Sequence, residues 1–228
     1  MGSLLLNDII VTLFCSGIRF DRDVYEKLCT ELYDFYDTQS RGNNSYRFSN
    51  QKGGSCLIDN RHIRMTEFFA GQSPAAVVKP LAAVADGVFK AFGTAPLRSY
   101  DVQISARLPQ KELDSSSRIN FLSSEEYIAA RFLQDVDYTP LGASPTGVGL
   151  RFLFKRNNHS YDLRVEPYFK DRTYLFLDLG IQRTDDTEAC KDLYASLTKD
   201  IAYFEENVVD FIKWYESKEM TRTDGPGE

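Results

Sequence analysis

Between Ser99 and Leu108 apolar and polar residues alternate without a fault: Tyr100, Val102, Ile104, Ala106 and Leu108 against Asp101, Gln103, Ser105 and Arg107. Successive side chains of a strand point to opposite faces, so this stretch reads as a half-buried strand with one side on a core and one towards water. A sheet built around it needs covering on one face only, which points to an antiparallel sheet with helices packed on that face.

The remaining elements follow an order that occurs twice. Asp8 to Cys15 is β-branched and apolar on both faces, which suits a central strand, and an amphipathic helix follows from about Arg22 to Asp37 with Asp21 as its N-cap. A meander comes next, Ser45 to Ser49, Ser55 to Asp59 and His62 to Phe69, with turns at Gln51-Lys52-Gly53-Gly54 and Asp59-Asn60-Arg61. Ser73-Pro74 opens a helix to about Phe92, closed by Gly93, and Pro80 either kinks this helix or marks its start.

The second half begins with the alternating strand. After a polar loop, Ser123 and Glu126 form a capping box for a helix to about Gln134. A Pro/Gly-rich stretch then leads into strands Val148 to Lys155, Ser160 to Tyr168 and Thr173 to Ile181. Asp185 and Glu188 are expected to cap the last helix, whose stripe is Leu193, Leu197, Ile201, Phe204, Val208, Phe211 and Tyr215. The expected fold is therefore α+β: residues 1–95 and 96–216 each give strand, helix, three-stranded meander, helix, and together form one antiparallel sheet with helices on one face. A polar, Gly/Pro-rich tail, 217–228, is expected to be disordered. An internal duplication and one asymmetric α+β domain both satisfy this pattern.

Composition narrows the function. Twenty-seven Lys and Arg against 33 Asp and Glu leave a net charge of −6, which argues against a primary role on nucleic acid. The apolar run Ile9 to Cys15 has no preceding basic region, and Ala75 to Phe92 is broken by Lys79, Pro80, Asp86 and Lys90, so neither a signal peptide nor a membrane span is expected. Cys15, Cys29, Cys56 and Cys190 contain no C-x-x-C pair and read as reduced, mostly buried thiols of a cytoplasmic protein.

Candidates for chemistry are few. Folding the hairpin on Asn60-Arg61 sets Asp59 beside His62 as an ion pair and places Cys56 opposite Met65, away from the histidine, which disfavours a Cys-His nucleophile. His159 falls in a polar turn. Glu125 and Glu126 open a helix, where the dipole favours negative charge, and Asp135 and Asp137 lack calcium-loop spacing. Gly142, Gly147 and Gly149 precede a strand, as no phosphate-binding loop does. No catalytic residue, metal site or cofactor is expected.

The polar sheet face remains. Arg151 and Lys155 share one side of their strand, Asp162, Arg164 and Glu166 one side of the next, and Arg107 lies with Asp101, Gln103 and Ser105. These groups form either a solvated face of cross-strand salt bridges or a binding platform. In the second case Arg151 and Arg164 are anion-fork candidates, joined by Arg107, Asp162 and Glu166. A curved sheet could instead enclose a cavity lined by Tyr100, Phe152, Phe154, Tyr161, Tyr174 and Phe176, residues that otherwise read as core.

From Gly147-Val148-Gly149-Leu150-Arg151-Phe152 through the meander to the terminal helix, the chain resembles the C-terminal part of a sporadically distributed bacterial family of uncharacterised proteins, and the first strand and helix are loosely similar. The resemblance implies a bacterial origin and no catalysis. The twice-occurring topology also resembles the TATA-binding-protein-like arrangement and helix-grip folds, a likeness of fold alone; the acidic balance speaks against a DNA-binding saddle. The function expected is a non-enzymatic binding or protein-interaction module with a protein partner or self-association. The alternative is a small-molecule binder or enzyme with a pocket between sheet and helices.

Overall fold

The computed structural model describes residues 4–15, 18, 20–93, 97–109, 149–157, 159–171, 173–184 and 192–215. The helix expected over Ser123 to Gln134, the acidic group Glu125, Glu126, Asp135 and Asp137, Gly142, Gly147, Cys190, Asp185, Glu188 and the tail lie outside the described residues.

Among the described residues nine strands form one antiparallel sheet: β1 (Leu5–Cys15), β2 (Thr38–Arg41), β3 (Ser45–Ser49), β4 (Ser55–Asp59), β5 (His62–Phe68), β6 (Leu97–Pro109), β7 (Leu150–Arg156), β8 (His159–Pro167) and β9 (Tyr174–Thr184). Their spatial order is β2-β3-β4-β5-β1-β6-β9-β8-β7. The first strand of each half is thus central, and each meander runs outward from it, last strand first. At the seam Ile9 faces Ile104 and Val11 faces Val102. The fold is α+β, and both halves share this one sheet.

Three described helices cover one face: α1 (Arg22–Glu31), α2 (Pro74–Phe92) and α3 (Leu193–Tyr203), with α2 in contact with both of the others. The core lies between this layer and the alternate residues Ile9, Val11 and Leu13 of β1, Tyr100 to Leu108 of β6, and Leu175 to Ile181 of β9, all at most 1% exposed. Where α1 ends against α2, a Cβ at Gly87 would stand 3.3 Å from both the Glu31 Cβ and the Leu32 Cδ2, a tight contact that a side chain could make only if these neighbours gave way by a few tenths of an ångström. Asp21 caps α1 by accepting the Val24 N–H at 2.8 Å. Asp21→Ala should cost about 1 kcal/mol, read as a lower urea midpoint.

Three details depart from expectation. The first meander has four strands, because Thr38–Arg41 pairs with β3 although all four of its residues are polar and exposed. α1 ends at Glu31 with Leu32 as C-cap, six residues short, and turns carry the chain to β2. The last described helix starts at Leu193, where the Asp192 side chain accepts the Ala195 N–H at 2.9 Å. Pro80 lies inside α2, which runs unbroken from Pro74. After α3 a π-helical turn, Phe204–Val208, precedes a last helical stretch over 209–215.

Candidate functional site

Strand alternation leaves the second face of the sheet uncovered by the described helices, and pairing register arranges its side chains in rows. One row runs Asp8, Ser105, Asp178, Arg164, Arg151; the next Thr66, Ile10, Gln103, Gly180, Asp162, Leu153; the third Arg64, Thr12, Asp101, Gln182, Ser160, Lys155. Gly180 sits in the middle of this grid without a side chain. Over it opens a cleft of about 460 Å³, walled by Gln103 and Asp162 on the neighbouring strands and by Asp178 and Gln182 along β9, with Arg64, Asp101, Arg151 and Arg164 at its sides. Among the described residues a Cβ at Gly180 would meet only Asp162, at 3.7 Å, an ordinary van der Waals contact.

The charges differ in how well they are satisfied. Arg151 holds Asp162 with both arms of its guanidinium, Nε to Oδ1 at 2.8 Å and Nη2 to Oδ2 at 2.7 Å, and this hydrogen bonding keeps the Asp162 carboxyl below the ordinary range. Arg164 Nη2 lies 3.8 Å from the same carboxylate. Asp178, buried, accepts from the Gln103 amide at 3.0 and 3.1 Å; burial nevertheless pushes its carboxyl up, opposed by Gln103 and Arg164 and aided by Asp8 and Asp162. Asp8 in turn accepts the Ser105 hydroxyl at 2.6 Å. Asp101 is pushed up by burial alone.

Of the five residues singled out in the sequence, Arg151, Asp162 and Arg164 line the cleft. Arg107 and Glu166 belong to a further row, on either side of Phe176. Arg107 Nε donates to the Asn7 Oδ1 at 2.9 Å, and its guanidinium stacks over Tyr168 and Tyr174 at 5.6 and 5.8 Å. Of the two expectations for this face, cross-strand salt bridging is seen at the Arg151 fork, which Asp162 occupies, while the described groups around Gly180 line an open cleft. Arg64, Asp178, Gly180 and Gln182 escaped the sequence reading. The β9 alternation marked the last three, but Arg64 joins the site only because β1 pairs with β6 and brings the first half alongside.

The six aromatics expected to line an enclosed cavity divide by strand parity. Tyr100 and Tyr161 are buried under the helices, whereas Phe176 stands on the open face. Phe152, Phe154, Leu163, Tyr203, Val208 and Phe211, with Asn207 among them, line a second, largely apolar groove of about 470 Å³ between β7 and the terminal helix. Elsewhere Asp59 Oδ1 lies 3.0 Å from His62 Nδ1, and Cys56 pairs with Met65 as expected. Burial raises the thiols of Cys15 and Cys56 to about 11 and 12, the opposite of an activated nucleophile. Among the described residues no group of three or more His, Cys, Asp or Glu is placed to hold a metal ion.

Scans against models of known protein families and against curated proteins find no match.

Proposed function

We propose that this protein is a binding module that engages its ligand or partner through the open sheet face, at the cleft over Gly180. The observation that carries this reading is a cleft of about 460 Å³ lined by both signs of charge and backed by a packed core, which holds the lining strands rigid. Arg164, Asp162 and Arg151 form one wall, and Arg107 and Glu166 extend the polar face beyond it. Among the described residues no helix is long and apolar enough to cross a membrane, and the free thiols Cys15, Cys29 and Cys56 support a reducing compartment, the cytoplasm.

The test compares wild type with Gly180→Trp, which fills the cleft, and with the double charge reversal Arg151→Glu/Arg164→Glu. The tagged proteins are incubated with lysate, then analysed by mass spectrometry for both retained proteins and small molecules. A species held by wild type and lost from both variants is the expected result. Equal retention by all three overturns the sheet-face reading.

The apolar groove between β7 and the terminal helix favours a second reading, a small apolar ligand seated between sheet and helices. Its test is a fluorescent apolar dye, whose binding should fall with Asn207→Trp at the groove wall and not with Gly180→Trp.

A further inference from the structure

We infer that the cleft over Gly180 takes a small zwitterion of the amino-acid class, its ammonium on Asp101 and its carboxylate on Arg64. This inference rests on the sheet-face reading and adds the ligand's chemistry.

Elimination among the charges singles out two of them. Among the described residues six charged side chains line the cleft: Arg64, Asp101, Arg151, Asp162, Arg164 and Asp178. Arg151 and Asp162 satisfy each other bidentately, Arg164 stands against the same carboxylate, and Asp178 is held by Gln103. Arg64 and Asp101 make no hydrogen bond or ion pair with any described residue. For Arg64, which is exposed, water suffices. Asp101 is half-buried in the central strand, where desolvation of a carboxylate is costly unless a cation or a set of donors compensates it.

Register fixes the relation of the two. Arg64 faces Thr12 on β1, and Thr12 faces Asp101 on β6, so the two backbones are two strand spacings apart, about 10 Å. All three residues line the cleft, so a positive and a negative side chain flank the Thr12 hydroxyl in one row. A ligand with only an ammonium leaves Arg64 idle, and one with only a carboxylate meets Asp101 as a like charge. A zwitterion answers both with charge-assisted hydrogen bonds. The volume near Gln103, Gly180 and Gln182 then receives the ligand's remaining atoms, and 460 Å³ suits a free amino acid or a dipeptide better than a folded protein surface.

The experiment is calorimetric titration with the twenty standard amino acids and their glycyl dipeptides, followed by the decarboxylated and N-acetylated forms of the tightest binder. The expected result is at least one zwitterion with a sub-millimolar Kd. Each single-charge analogue, and each of Asp101→Asn and Arg64→Gln, should then bind at least tenfold more weakly, with unchanged circular dichroism. Binding that survives Asp101→Asn and Arg64→Gln but is lost in Gly180→Trp overturns the ligand class and leaves the sheet-face reading standing. Binding indifferent to all three variants overturns both. If no zwitterion binds the folded wild type, the inference falls, and the lysate comparison above decides the sheet face separately.

Discussion

Asp200→Ala should unfold at a far lower urea concentration than wild type, with a loss of about 3–5 kcal/mol, the usual consequence of leaving one member of a buried ion pair without its partner. Arg183 and Asp200 are 7% and 3% exposed, lie between β9 and α3, and bond to each other, while a second Arg183 nitrogen donates to the Tyr100 hydroxyl. The guanidinium also stacks on the Tyr100 ring, 5.0 Å from its centroid. The pair is nonetheless imperfect, since Arg183 Nε and Asp200 Oδ2 are buried with no hydrogen-bond partner among the described residues. Replacing both with apolar groups of similar bulk, Arg183→Met/Asp200→Leu, should therefore recover most or all of the loss. If the single and double variants are equally unstable, packing volume and not charge is what the pair supplies.

The same pair makes a pH prediction. Burial, opposed by Arg183, holds the Asp200 carboxyl at about 7, above the value near 3.8 of an unperturbed aspartate. Between those values the folded chain retains a proton that the unfolded chain releases. The contribution to stability is fully present below about pH 4 and is lost as pH rises through about 7. Denaturation curves taken from pH 4 to pH 8 should show the Arg183→Met/Asp200→Leu variant gaining on wild type as pH rises. A gap that stays constant would show that the carboxyl titrates alike in both states.

Ile104→Ala should cost about 2–5 kcal/mol, because the side chain is fully buried and the closely packed seam can collapse only partly around the void. Its position makes the variant a test of cooperativity as well. Ile104 pairs with Ile9 on β1 and with Leu179 on β9, so it belongs to the packing of both halves. Trp214, the single tryptophan, reports on the second half, and a fluorophore on an engineered cysteine in β4 would report on the first. Both signals should shift together to a lower midpoint with unchanged slope. Separate transitions would mean that the halves are stable independently and that the seam is a docking surface.

The strands were legible where one face is buried and the other wet, because alternation is then imposed by burial itself. β3 and β4 begin and end where the sequence placed them, and β6 carries all five of its expected inward residues. β2 was not legible, since an exposed polar edge strand of four residues is held by backbone pairing alone, which leaves no side-chain pattern. The α1 stripe over-ran for the converse reason. Phe35 and Tyr36 continue its spacing and pack on the core, but from turns beyond the helix end.

The buried pair was readable and was missed. The β9 alternation Leu175, Leu177, Leu179, Ile181 reaches Arg183 in one further step, and the α3 stripe Leu193, Leu197 and Phe204 passes through Asp200. Two opposite charges at apolar positions of neighbouring elements should have been read as partners. The cleft was less accessible. Its three β8 and β7 residues follow from local alternation, but Arg64 and Asp101 lie 37 positions apart and meet only because β1 and β6 pair at the seam.

Gly180 lies mid-strand with an ordinary extended backbone, a place where glycine is less stable than alanine by roughly 0.5–1 kcal/mol. Among the described residues none forbids a Cβ there, since the nearest atoms, of Asp162, would stand at van der Waals distance. Among the described residues nothing in the packing demands glycine at this position. On the proposed sheet-face reading, folding and recognition are separable at this one position. A series of increasing bulk, from alanine through valine to tryptophan, should graduate the occupancy of the face while the helices, the seam and the buried pair behind it stay as they are.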